Sequence, residues 1–584
     1  MYLKKARNSK TGRTHLSIAH NYRDEKGVNR TRTVKSLGYL DVLEKDYDDP
    51  LAHFKALVGE MEAERVTSEG KITFVKSKAR KISMKETTRK NLGYLALSAV
   101  YHELGLARLM LNRARKHGFQ FSADKALQLG VFSRILDPAS KRHDILGQKG
   151  YFEDFSLSKD DYYHSLSFLA TQKDACLALM DTHMRRYYGR EKGPSYYDVT
   201  NYYFEIDDED EFRRFGVSKE HRPDPIVQMG LLLDSSGFPV TYNLHPGNTH
   251  DSDTLIDELA RYKRDFSSGR IVVVADKGIN CSENILALAA KGDGYVFSSS
   301  VRGASKEVVD WVTGEEGWCD YAGEDIDEDE AGYRQKSRIS HRQLYLKTDG
   351  GKRKKGPRIT EKQVAFYSPK YDKRAKKERE RALSKARELI CSPGKLKAMF
   401  DRSAARYVKG IAYDGNGEVV EGNTALIFDD ARLAKEETLD GYYIISTSEV
   451  EMTDDAVITA YRGLWKIEES FRVMKSLLSG RPVYLTRKDR IEAHFLICFI
   501  ALLIMRILEH KTAHAYSSEA IANTLKKASG THLGDNWWIF DHRDDCSDAL
   551  GSALSLDFTK EILSTGDIRK MSGVAKKTSK NAKT

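Results

Sequence analysis

Three acidic residues stand where their surroundings make a blander residue the expected choice. Asp198 interrupts SYYDVTNYYFE, an aromatic and β-branched run that reads as a strand. Aspartate is disfavoured inside a strand, and a buried one requires a partner or a metal. Asp276 closes RIVVVAD, a short apolar strand, just before the helical SENILALAAKG. That is where open α/β sheets form their ligand crevice. Glu468 lies in DDAVITAYRGLWKIEESFRVMKSLLSG, where Leu464, Ile467, Phe471, Met474 and Leu478 define the buried stripe of a helix expected over 460–479. At about 100° per residue, Glu468 falls about 90° from the stripe's centre, and Glu469 about 170° away, into solvent. Tyr461, Arg472 and Lys475 share the flank of Glu468, so one face offers a carboxylate together with donors suited to phosphate. Convergent carboxylates are hard oxygen donors, and a pair of divalent ions held by them can activate one oxygen and steady another in a displacement at phosphorus. Each aspartate alone reads equally as a cap or turn residue, and Glu468 with Arg472 as a surface pair.

The elements that must position these acids follow from periodicity. After the Asp198 strand come DPIVQMGLLLD, the turn SSG and FPVTYNLHPGN, which read as a hairpin with Asp234 at its turn. DSDTLIDELARYKRDF then has helical spacing, and after the Asp276 strand and its helix YVFSSSV reads as one more strand. Three antiparallel strands, helix, strand, helix and strand make the order of an RNase H-like core over 191–301. His245, His250, Asp251 and Asp253 in LHPGNTHDSD are read as a strand end, turn and helix cap rather than a metal cluster.

Residues 302–440 interrupt that core as an inserted, mainly β, basic domain. It holds the candidate strands RQLYLKT, KQVAFYS and VVEGNTALIF and a basic helix at 373–388. DGYYIISTS is the expected return strand, and the core resumes over 441–515, with an apolar helix across 490–520. A basic β-hairpin segment (1–60) and a helical domain (61–190) precede the core; the latter is either a DNA-binding module or a scaffold. A C-terminal region (516–584) ends in a basic tail. The expected fold class is therefore a multidomain α/β chain with an interrupted RNase H-like core.

Composition bounds the partners. With 584 residues, 40% hydrophobic and 31% charged, and only 11 prolines, the chain suits several globular domains rather than disorder. Six scattered cysteines exclude a zinc knuckle and a disulfide framework and suit a reducing cytoplasm. The start, MYLKKARNSK, lacks the apolar stretch of a signal peptide, and the run Phe495 to Met505 is about half a membrane span, so no membrane partner is expected. The net charge of +10 is unevenly placed. Residues 352–389 hold fifteen Lys/Arg against five Asp/Glu, 1–36 hold ten against two, and 569–584 hold six against none. The acidic stretches 205–211 and 324–330 balance them. Such clusters are solvated faces or a polyanion footprint, and three separated ones favour nucleic acid.

On these motifs, residues 195–300 with 440–510 resemble the bacterial insertion-sequence DDE transposases. The likeness is to the insertion-sequence-four-like group, whose RNase H-like core is split by a β-rich insertion before the final glutamate. In YRGLWKIEESFRVMK, Tyr461, Glu468 and Lys475 keep that group's register, while Leu464 stands where an arginine is expected. YYDVTNYYFE, GNTHDSD and VVVADKGI carry the rest of the likeness. The resemblance implies a polynucleotidyl transferase that nicks transposon ends and joins the freed 3′-hydroxyl to target DNA. It implies Asp198, Asp276 and Glu468 as ligands of two Mg²⁺ (or Mn²⁺) ions. Tyr461 and Lys475 would hold the DNA backbone, Arg462 or Arg472 would take the role of the missing arginine, and Trp465 would pack or stack nearby. Terminal inverted repeats and target DNA are the expected partners, with a homodimer in synapsis. The competing readings are an RNase H-like endonuclease or resolvase, and a non-catalytic DNA-binding relative.

Overall fold

Alternation over the first 45 residues becomes a three-stranded antiparallel sheet, Tyr2–Arg7, Thr14–Arg23 and Asn29–Tyr39, in chain order. Leu16 on its central strand is fully buried and packs with Leu43 and with Phe54 of the helix Pro50–Ser68. Met1–Glu86 is accordingly one unit, and the boundary expected at residue 60 falls inside that helix. The computed structural model describes residues 1–7, 11–23, 29–68, 81, 88–190, 193–220, 222–266, 269–321, 332–348, 352–391, 402–409, 412–413, 419–420, 427–534 and 536–577. The acidic stretch 324–330, most of VVEGNTALIF and the end of the basic tail lie outside the described residues.

The second unit, Thr87–Thr584, is mixed α/β and built on one nine-stranded sheet. Its strands are β1 (Pro194–Tyr203), β2 (Ile226–Leu233), β3 (Pro239–Pro246), β4 (Val272–Ala275), β5 (Gly294–Ser299), β6 (Cys319–Asp320), β7 (Arg334–Lys347), β8 (Arg353–Tyr367) and β9 (Tyr442–Thr447). They run in the order β6-β7-β8-β9-β5-β4-β1-β2-β3. β4 is parallel to both β1 and β5, and every other neighbouring pair is antiparallel. Helices α1 (Asp251–Phe266) and α2 (Ser282–Ala290) supply the crossovers from β3 to β4 and from β4 to β5.

Strand alternation divides the side chains of β1 between two cores. Tyr197 and Val199 pack with Leu255 and Leu259 of α1 and with Ile285 and Leu288 of α2. Tyr196 and Tyr202 enter the larger core on the other face, with Ile467, Met474 and Phe495. Asp198, by the same alternation, shares the face of Tyr196 and Tyr202.

The segment 302–440 does not form a separate sheet for its main strands. β7 and β8 form a long hairpin, and Lys362–Tyr367 of β8 pairs with β9, so the hairpin continues the central sheet. The basic helix follows as α3 (Pro369–Cys391). The helical region and the C-terminal region likewise share one core. Arg89–Asn91 pairs with Ser529–Gly534, and Thr565–Lys577 packs on Tyr94–Glu103. Both surround α6 (Lys488–Lys511). That helix is long and apolar enough to cross a membrane, but 89% of its apolar window is buried within the protein.

The helix expected over 460–479 is instead broken. α4 (Asp454–Arg462) and α5 (Trp465–Arg472) flank a tight turn at Gly463–Leu464, and Val473–Leu477 forms a π turn. At the break the chain passes close to β1. A Cβ on Gly463 would lie 2.0 Å from the Tyr196 hydroxyl, so only glycine lets the chain approach β1 this closely. The Leu464 and Ile467 amides then donate three residues back, to Tyr461 and Leu464, as in a 3₁₀ turn.

Candidate active site

The carboxyl end of β4, the middle of β1 and the α4–α5 turn converge on a cleft of about 600 Å³. Asp198, Asp276 and Glu468 all line it, with Tyr461, Leu464 and Trp465 from the broken helix. Among the described residues, no three His, Cys, Asp or Glu side chains are grouped closely enough to hold a metal ion as they stand.

Asp276 follows the last residue of β4, and its Oδ1 accepts from Ser298 Oγ of neighbouring β5 at 2.6 Å. Tyr461 Oη approaches the same oxygen at 3.4 Å. Burial, reinforced by the Asp276 charge, pushes the Tyr461 phenol above its usual range, so it stays a neutral donor. Asp198 Oδ1 accepts from the Val199 amide at 2.7 Å. Its side chain retains 29% exposure, yet it sits on the cleft floor with protein on most sides. Burial pushes its pKa up to about 6, Lys219 opposes that rise, and Asp251 and Asp276 add to it.

Lys219, on the loop between β1 and β2, carries no periodic or motif signal in the sequence. Its Nζ lies 3.9 Å from both Asp198 and Asp251 and donates to the Val199 carbonyl. Lys475, in the π turn, pairs with Glu220 at 3.3 Å. Burial lowers its pKa to about 8, with Lys219 lowering it further and Asp198 opposing. The expected Lys475 therefore sits within electrostatic reach of Asp198, in a lysine pair the sequence did not reveal.

The broken helix changes the phase of the glutamate segment. Glu468 is exposed on the cleft wall, whereas Glu469, expected in solvent, lies 3.4 Å from Arg506 of α6 with 22% of its side chain exposed. Arg462 lines the cleft, but its guanidinium lies over the Tyr321, Tyr333 and Phe366 rings at 5.4, 5.7 and 5.5 Å. Arg472, expected on the Glu468 flank, is 75% exposed, 3.9 Å from Glu469 and not on the cleft. Leu464 faces the cleft where an arginine was expected. Besides Arg462, the cations that line it are Lys277, beside Asp276, and Arg302, after β5 and 3.2 Å from Asp440. Trp465 is 58% exposed at its edge, with Tyr371 of α3 also on the lining.

His245 is buried at the end of β3, and Asp251 and Asp253 open α1. Asp234 accepts from the Ser236 and Phe238 amides, at 3.1 and 2.9 Å, as a turn aspartate does.

Residues 212–504 match the family model described as "Transposase DDE domain", half of the chain. The chain belongs to the DDE transposase family. Residues 3–70 match a second model, "IS1634 family transposase, N-terminal domain", which coincides with the Met1–Glu86 unit. The protein is an insertion-sequence transposase, an enzyme of the polynucleotidyl transferase class. Asp276 and Glu468 lie within the first matched region of the transposase, and Asp198 lies just before it. No curated protein matches the chain. Among solved structures, a piggyBac transposase synaptic complex with hairpin DNA is similar at 9% identity and a TM-score of 0.34, over 83% of this chain and 84% of that one. A Mos1 transposase paired-end complex with the left transposon end is similar at 10% identity and a TM-score of 0.13, over 40% and 65%.

Proposed function

We propose that Asp198, Asp276 and Glu468 are the acids with which this transposase cleaves its element ends and joins the 3′-hydroxyl to target DNA. One observation carries the reading: all three line a single cleft although 270 positions separate Asp198 from Glu468 (468 − 198). The strand order β3-β2-β1-β4-β5, with β1 parallel to β4 and β4 to β5, supports an RNase H-like core. In such a core Asp198 and Asp276 belong to neighbouring strands.

The donor set fits hard divalent cations. All three groups are carboxylates, and the pKa of Asp198 is raised to about 6 by burial and by two neighbouring acids, a strain that a cation relieves. Asp198 and Asp276 would hold Mg²⁺ (or Mn²⁺), with Glu468 completing the set from the facing wall. Bound there, two ions would supply Lewis-acid stabilisation of the attacking and leaving oxygens.

The remaining roles belong to the protein itself. Ser298 and Tyr461 fix the orientation of Asp276, and Lys219 steadies Asp198 through its contact with the Val199 carbonyl. Lys277 and Arg302 on the cleft lining, with Lys475 within electrostatic reach of Asp198, offer positive charge to the DNA backbone, and Trp465 offers an exposed ring at the cleft edge. Arg462 is held among aromatic rings, and Arg472 is placed to meet DNA only outside the cleft. α3 brings the basic helix to the same wall through Tyr371, Ala375 and Glu378. The DNA partners are the terminal inverted repeats and the target. The transposase works as a homodimer in synapsis and in the cytoplasm, where no membrane is involved.

The test is strand joining. A duplex of the element end with a free 3′-hydroxyl, incubated with supercoiled target plasmid and Mg²⁺, is expected to give integrated product at the 3′ end only. Cleavage of many unrelated ends without joined product would replace this reading with that of an endonuclease, and DNA binding without either would leave a non-catalytic relative.

A further inference from the structure

A second cavity, of about 400 Å³, lies between the helix Ala123–Leu136, the segment following the π turn and α6. Two buried cations line it, Arg134 at 3% and Lys141 at 4% exposure, with the half-buried Arg481 beside them. Lys141 has a counter-charge, Asp144 at 3.1 Å. Arg134 has none: among the described residues no carboxylate lies within ion-pair distance of it. Its guanidinium donates only to the carbonyls of Leu478, Ser479 and Ala139, at 3.3, 3.2 and 3.0 Å, and its Nε has no partner. Capping the end of the π turn explains the bonds to Leu478 and Ser479, and the Ala139 bond ties down the loop after the helix Ala123–Leu136, but the positive charge stays buried beside Lys141. A buried charge left uncompensated is costly, and an anion is its ordinary remedy. His494 on the same wall is held neutral by burial and by these two cations, so it adds no charge, and Arg134 stays the cation of this lining without a carboxylate partner among the described residues.

Two further features narrow the anion. The mouth carries Tyr484, 66% exposed, and Pro482, flat surfaces suited to a sugar or base. Glu220 contacts both Lys475, which lies within electrostatic reach of Asp198, and Arg481 of this cavity, so one carboxylate links the neighbourhood of Asp198 to this cavity. We propose that this cavity binds a phosphodiester group of the DNA strand whose cleavage site lies in the catalytic cleft. The polymer's identity rests on the transposase reading; the anion site does not depend on which acids are catalytic.

The full-length protein carrying Cys319→Ser and Cys391→Ser, which removes the exposed thiols, provides the background. Tyr484→Cys labelled with an aryl azide is expected to crosslink to end duplex on irradiation, and excess unlabelled duplex to abolish the crosslink. Separately, Arg134→Met is expected to weaken DNA binding about tenfold and to lower the slope of log affinity against log salt by about one. Because Arg134 also holds the π turn, Arg481→Gln serves as the second variant, with the same expected fall in slope. No crosslink at Tyr484, or an unchanged slope in a folded Arg481→Gln protein, overturns the proposal. A protein that joins strands normally yet fails both arms refutes this site while leaving the catalytic reading intact.

Discussion

Asp276→Asn is expected to reduce both end cleavage and strand joining by a thousandfold or more, leaving fold and DNA binding intact. Asparagine keeps the shape and still accepts the 2.6 Å bond from Ser298, so the structural loss is small. What disappears is the negative charge at the carboxyl end of β4, and with it the oxygen donor best matched to a hard cation. A thousandfold loss corresponds to about 4 kcal/mol of transition-state stabilisation. The same change at Asp198 should match it, because Asp198 is the partner carboxylate on the neighbouring strand. Cleavage of labelled end duplex and filter binding of the same duplex provide the two readouts. If Asp276→Asn cuts within tenfold of wild type, Asp276 is not a catalytic acid.

The second large effect concerns stability. Arg190→Leu should lower the melting temperature by about 5 °C or more, at roughly 2 °C per kcal/mol for a large cooperative unit. Arg190 lies at 3% side-chain exposure between Asp181 of the helix Lys173–Tyr187, at 2.7 Å, and Asp234 of the β2–β3 turn, at 2.9 Å. It also donates to the Pro239 carbonyl at 2.9 Å. Leucine would fill part of the space but leave Asp234 buried without a cation, a loss on the order of 3–5 kcal/mol. Asp181 keeps Arg185 at 2.6 Å, so the strain falls mainly on the hairpin turn. Thermal unfolding followed by circular dichroism decides it, and a shift under 1 °C would show that the bridge contributes little.

Much of this site was legible because strand chemistry is local. The aromatic run around Asp198 and the apolar run before Asp276 announced β1 and β4, and the hairpin and helix between them announced the crossover. The glutamate helix was harder. Its apolar stripe is regular in sequence, but the helix breaks at Gly463–Leu464, where the chain closes on Tyr196 of β1, a tertiary contact that no periodicity carries. The phase argument still selected the glutamate that lines the cleft, yet it placed Glu469 in water when Arg506 of a helix distant in sequence holds it. Lys219 was invisible for a similar reason: a loop lysine gains meaning only when the fold brings it to Asp198 and Asp251. The segment 302–440 read as a separate body because its charge and glycine content differ from the core. Its strands nevertheless extend the core sheet, since β9 offers β8 a free edge.

The central claim is that carboxylates of the cleft hold the metal that acts on DNA, and a change of ligand softness tests it most directly. In Asp276→Cys, the soft thiolate should bind Mg²⁺ poorly and Mn²⁺ better. Strand joining by this variant is expected to be undetectable in Mg²⁺ and to recover at least tenfold in Mn²⁺, while Asp276→Asn stays inactive in both. Equal activity of the cysteine variant in the two metals, or an equal Mn²⁺ recovery of the asparagine variant, would contradict the account.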